Sequence, residues 1–190
     1  MKLRTLIAAL AAGLLCLGPA SALAANANDN HDAYSWHVGV PFVPGFPAFA
    51  RAAGPTGTIQ MSGSGQLQAG PNNSASGGGT YVLLDAQENP IAGSGGTWSV
   101  VPGQQGMLGF VSYGCGNLGP NPVPPNFCGG ETKLRILLVG GALAGQEGVL
   151  TIMCLVGSPP GGKDEGIRLT LGNGANFPRT EEGATLFIKL

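Results

Sequence analysis

Apolar and polar residues alternate one for one through most of the chain, the period of a strand with one buried face and one wet face. Tyr34, Trp36, Val38, Val40 and Phe42 alternate with Ser35, His37, Gly39 and Pro41. This predicts a strand that lays an aromatic row on a core and ends at Pro41. Pro44, Gly45, Phe46 and Pro47 then read as an extended linker. The clearest strand is 58–68, where Ile59, Met61, Gly63, Gly65 and Leu67 point one way and Thr58, Gln60, Ser62, Ser64, Gln66 and Gln68 the other. Two glycines on its apolar side predict a bend or a close-packed neighbour.

A loop is expected over 69–78, with Gly77-Gly78-Gly79 and Gly93-Ser94-Gly95-Gly96 read as turns. Further strands are predicted at 80–85, 97–101, 107–113, 133–139, 149–156, 167–171 and 185–190, about nine in all. Helical periodicity is nearly absent. Short turns between consecutive strands favour antiparallel pairing, and about eight or nine strands exceed what one flat sheet holds. The expected fold class is all-β, an antiparallel meander-rich β-barrel, with a β-sandwich as the alternative.

Residues 1–24 carry a different pattern. Lys2 and Arg4 precede an apolar run from Leu6 to Leu17, and Ala22-Leu23-Ala24 offers small residues where a signal peptidase cuts. A bacterial-type secretion signal cleaved after Ala24 is expected, giving a secreted or periplasmic protein. The run is too short to span a bilayer. The organisation expected is therefore a signal peptide at 1–24, an N-terminal extended segment with one strand at 25–55, and a single all-β domain at 56–190.

Removing the signal leaves 166 residues with 7 basic and 10 acidic side chains, a formal charge of −3. So weak a charge gives no footprint for nucleic acid. Gly and Pro make up 46 of the 166, a fraction that would suggest disorder if apolar alternation did not accompany it. In a β-domain they serve as corners and turns.

Three of the four cysteines, Cys115, Cys128 and Cys154, remain after the signal, and export brings them into an oxidising compartment. Three single pairings are open. The pair Cys115 and Cys128 is favoured, because it would staple a loop with prolines at 120, 122, 124 and 125 between two strands. Cys154 alternates with Leu150, Ile152 and Val156 and reads as a buried free thiol, with no basic neighbour in sequence to activate it.

Candidate chemistry is thin. His31 and His37, with Asp29 and Asp32 nearby, could ligate copper or zinc, but their spacing matches no closed ligand set and a solvated tail explains them. Gly157, Gly162 and Lys163 fit the start of a phosphate-binding loop after a strand. Asp164 then stands where Ser or Thr is needed, Pro159 and Pro160 remove backbone donors, and a strand follows instead of a helix, so a turn is expected. No serine sits in a nucleophile elbow, and both histidines lie in one segment, which argues against a hydrolase triad. Asp164-Glu165, Glu181-Glu182 and Asp85 with Glu88 read as solvated carboxylates at turns.

Gly96-Thr97-Trp98 resembles the G-x-W of lipocalin-type ligand barrels. In that family the motif lies on the first strand, whereas at least three strands precede it here, so neither binding residues nor ligand carry over. Trp98 is expected to face inward with Val100 as a core aromatic.

The leading functional expectation is a secreted or periplasmic, non-catalytic β-domain that binds an apolar small molecule or serves as a surface component, with no cofactor. The alternative is a small-barrel enzyme of isomerase or cyclase type using Tyr81, Tyr113, Arg135 and Arg168; convergence of two of these in a cavity would favour it. A small outer-membrane barrel is the third class. Against it stand 12 aromatic residues, few for two girdles, and strands expected to run five to seven residues.

Overall fold

The computed structural model describes residues 32–116 and 123–190. The expected signal segment, its cleavage position after Ala24, and His31 lie outside them. Within the described residues the chain forms twelve strands and no α-helix. They are β1 (Ala33–Val38), β2 (Ala50–Gly54), β3 (Gly57–Gln68), β4 (Ser74–Leu84), β5 (Gly96–Val100) and β6 (Met107–Cys115). After these come β7 (Phe127–Val139), β8 (Glu147–Cys154), β9 (Gly166–Leu171), β10 (Asn176–Phe177), β11 (Arg179–Gly183) and β12 (Thr185–Lys189). Every pairing is antiparallel, and most join sequence neighbours, as a meander requires.

All nine expected strands are present, and three more accompany them. β2 is Ala-Arg-Ala-Ala-Gly and β11 is Arg-Thr-Glu-Glu-Gly. Neither has the bulk or alternation of a strand on its own. They are strands because β2 pairs with β3 and β11 pairs with β2, a case where the neighbour and not the residue sets the conformation. The segment up to residue 55 thus holds two strands rather than one.

Several boundaries differ from expectation, β7 for one starting at Phe127 rather than at 133, and three of the differences have definable reasons. β1 stops at Val38, before Pro41, because Gly39 adopts φ 83 and turns the chain. The expected linker beyond it is a closed loop, in which Val40 N–H donates to Pro47 O and Gly39 N–H to Ala184 O, both at 2.8 Å. The loop expected over 69–78 is only a tight turn: Gly70 N–H donates to Asn73 Oδ1 at 2.9 Å, and β4 starts at Ser74. Gly77, Gly78 and Gly79 are therefore strand residues, paired with Gly65, Ser64 and Gly63 of β3, and not a turn.

Two indoles explain these glycines. Trp36 and Trp98 stack inside the fold with ring centroids 5.6 Å apart. A Cβ on Gly65 would lie 2.5 Å from the Trp36 ring, and one on Gly63 would lie 2.7 Å from that of Trp98. Side chains missing from β3 and β4 are thus replaced by rings reaching across from β1 and β5. Trp98 and Val100 both face inward, as expected.

β7, at 13 residues, organises the rest. One of its edges takes β5 along Ile136–Val139 and β6 along Cys128–Leu134; the other takes β8 and, at Phe127 and Cys128, β12. Continuing outward, β8, β9 and β10 extend the sheet from β7, while β2 and β11 extend it from β3. The two extensions meet where β9 packs on β2 and β11. The alanines of β2 keep that approach close, and Leu134, Ile136, Leu150, Ile152, Ile167, Leu169 and Phe177 fill the space between.

Candidate functional site

Cys115 and Cys128 form the expected disulfide, at directly opposed positions of β6 and β7. It closes the proline-rich segment against the start of β7. Cys154 is the free, buried cysteine. Burial, with Glu165 nearby, pushes its thiol up to about 12, so it stays protonated and unreactive at neutral pH.

Of the four side chains considered for catalysis, Tyr81 and Arg135 are engaged apart, whereas Tyr113 and Arg168 both lie near Lys163. Tyr81 is buried, and its hydroxyl donates to Gly140 O and accepts from Leu143 N–H, clamping the turn after β7. Arg135 reaches Glu147 on the surface at 2.6 Å. Tyr113 hydrogen-bonds Glu131, which pairs with Lys163, and Arg168 pairs with Asp164 at 2.9 Å. The Lys163 ammonium holds the Glu131 carboxyl below the usual range. None of the four lines the cavity described next.

His37 lies half-buried on the wet side of β1, with Nε2 3.3 Å from Ser35 Oγ and the Phe42 ring edge-on at 5.0 Å. Burial lowers its pKa, which keeps the imidazole neutral. Among the described residues no three His, Cys, Asp or Glu side chains are arranged to hold a metal.

A cavity of about 390 Å³ opens where five pieces of chain come together. The loop after β1 contributes Val40, Val43 and Phe46; the segment before β7 contributes Val123, Pro124 and Phe127; β8 and its continuation contribute Cys154 to Val156; the join of β11 to β12 contributes Gly183 to Leu186; Glu165 completes the wall. Its size and apolar lining are those of a small-molecule site. Alternation along β12 sends Phe187 to Trp36 and Cys128 in the core and Leu186 to the cavity.

Glu165 is the polar feature of this wall. The Thr185 backbone N–H donates to its Oε1 at 2.9 Å, and the Thr185 hydroxyl shares its one proton between Oε1 at 2.7 Å and Met153 O at 2.5 Å. Leu155 N–H donates to Oε2 at 2.7 Å. Burial nevertheless raises the carboxyl above its ordinary range, the three donors offsetting only part of the desolvation. The reading of Asp164-Glu165 as a solvated pair is thus half corrected, since Asp164 is exposed and Glu165 is not. The signal was present in the chain: Glu165, Ile167, Leu169 and Leu171 share one face by alternation, and the last three are buried. Gly157 lies in a bend and Gly162 in a turn of the β8–β9 connection, and a strand rather than a helix follows Lys163 at Gly166.

Compared with protein-family models, curated proteins and solved structures, the chain matches none.

Proposed function

We propose that the chain is an exported, non-catalytic β-barrel domain that carries an apolar small molecule in the cavity beside Glu165. The observation that carries this reading is the cavity itself, with walls of Val, Leu, Phe and Pro side chains and one carboxyl. The barrel is supported by the pairings, which run from β1 to β3, β4, β5, β7 and β12 and from β12 back to β1. Export is supported by the disulfide, which is compatible with an oxidising compartment, and by the expected signal. That none of Tyr81, Tyr113, Arg135 and Arg168 lines the cavity favours binding over catalysis.

Strand length does not weigh against a membrane barrel as expected, because β3, β4 and β7 run 12, 11 and 13 residues. What favours a water-facing exterior is its chemistry. Gln60, Ser62, Ser64 and Gln66 of β3 and Glu131, Lys133 and Arg135 of β7 occupy the outward positions, where a lipid-facing strand needs apolar residues.

The test is native mass spectrometry of the exported protein purified from its own host, alongside titration with the neutral fluorophore N-phenyl-1-naphthylamine. Extra non-covalent mass, or saturable fluorescence that Val156→Trp abolishes by filling the cavity, is the expected result. A bare protein that leaves the fluorophore dark removes the cavity reading and favours a structural surface domain.

A further inference from the structure

Resting on the cavity reading, we propose that the ligand class this site selects is an apolar amine, a hydrophobic body ending in one ammonium that meets Glu165, and that the site discriminates against fatty acids. The hydrogen-bond inventory is the first reason. A carboxylate offers about four acceptor positions, two on each oxygen. The Thr185 N–H fills one on Oε1 and the Leu155 N–H one on Oε2, while the single Thr185 hydroxyl proton is shared between Oε1 and Met153 O, so at least one position on Oε2 is left for a donor brought from outside the protein.

The sign of charge is the second reason. Among the described residues Glu165 is the only acidic or basic side chain in the cavity wall, and the other titratable group there, Cys154 of β8, is a neutral thiol. The β1–β2 loop, the segment before β7 and the β11–β12 join bring no charge to it. The two cations nearest in sequence are held outside, Lys163 by Glu131 and Arg168 by Asp164. A ligand carboxylate would thus enter a site with no cation and would have to share one proton with Glu165. An ammonium would meet an under-solvated carboxyl and form a charge-assisted hydrogen bond with it. The burial that raises the Glu165 pKa is the cost such a cation removes.

The experiment uses the disulfide-bonded mature protein and three probes of equal chain length: dodecylamine, dodecanol and dodecanoic acid, each displacing N-phenyl-1-naphthylamine below its micelle concentration. Dodecylamine should compete at a concentration about tenfold or more below dodecanoic acid, with dodecanol between them. Glu165→Gln should bring the three within about twofold of one another. If that variant does not fold, the pH dependence of the wild-type protein serves instead. Neither amine nor alcohol changes charge between pH 4 and 8, so their ratio should fall towards one on acidification as Glu165 takes up a proton. An acid that binds as well as the amine, or a ratio insensitive to pH, overturns the amine proposal and leaves the cavity reading standing. Failure of the fluorophore and of all three probes to bind overturns the cavity reading itself.

Discussion

The two ends of this sheet solve opposite packing problems. Around β1, β3, β4 and β5 the strands give up side chains, and two stacked indoles fill the space that Gly63, Gly65 and Gly77 vacate. Around β8, β12 and the loop after β1 the side chains are ordinary aliphatics and the space is left unfilled, bounded by a buried carboxyl. At the tryptophan end an added Cβ would collide with backbone or ring atoms, whereas the cavity end has open space of about 390 Å³. Close packing is what a fold must have to be unique, and an apolar void is kept at a cost in lost contacts. The difference therefore separates a part that holds the fold by close packing from a part where the proposed binding would take place.

The sharpest way to break this contrast is to empty the filled end. Trp98→Ala should cost about 3–5 kcal/mol in chemical denaturation, while Val43→Ala at the cavity wall should cost under about 1.5 kcal/mol. Equal losses would abolish the distinction. Next comes the disulfide, which ties the edge of β7 nearest the cavity wall. Replacing both Cys115 and Cys128 by serine releases a closure spanning 13 residues and should cost about 3 kcal/mol. Fluorophore binding should weaken as well, because Pro124 and Phe127 lose their anchor.

Adding a single methyl is a finer probe. Gly65→Ala places a Cβ 1.9 Å from Ser76 O and should cost about 1–3 kcal/mol. Gly161→Ala, with open space around it, should leave the melting temperature nearly unchanged. Within the indole pair, Trp98 Nε1–H donates to Ser62 O and Thr80 O, while the buried Trp36 Nε1 has no partner among the described residues. Trp98→Phe should accordingly cost about 1 kcal/mol more than Trp36→Phe. The reverse order in urea melts would contradict that assignment.

The smallest effect is a slope against pH. Glu165 has a raised pKa in the fold, so the folded state holds its proton more tightly than the unfolded chain does. Its contribution is most favourable below the ordinary carboxyl value of 4.5 and is lost as pH rises through the folded value. Glu131 runs the other way, since Lys163 lowers its pKa and its contribution is lost as pH falls. Relative to wild type, Glu165→Gln should therefore flatten the fall in melting temperature above pH 4.5, and Glu131→Gln should flatten the fall on the acid side. Identical pH profiles for both variants would refute the opposed shifts.

Much of the architecture was legible because a strand with one buried face writes itself as alternation. Residues 58–68 and 133–139 are long enough for that signal to be unambiguous, and both lie within strands. β11 was illegible for the converse reason. Nothing in Arg-Thr-Glu-Glu-Gly asks for a strand, and only the free edge of β2 makes it one. Gly77-Gly78-Gly79 was misleading because glycine means a turn locally and a close approach globally, and the local chain holds no trace of an indole arriving from β1 or β5. Glu165 stood between these cases. Its place on the face of Ile167, Leu169 and Leu171 could be counted, yet its charge argued for solvent, and the donors that make burial tolerable come from Leu155 and Thr185.

By itself the sequence determined the class of the fold and the inward rows and favoured one cysteine pairing of three, because periodicity and spacing are properties of a chain read in order. The tertiary structure alone decided which strands share edges, that two tryptophans stand in for absent side chains, and that one carboxyl and apolar side chains from five separate segments line an open cavity. Those depend on residues distant in sequence becoming neighbours, and no one-dimensional pattern carries that information.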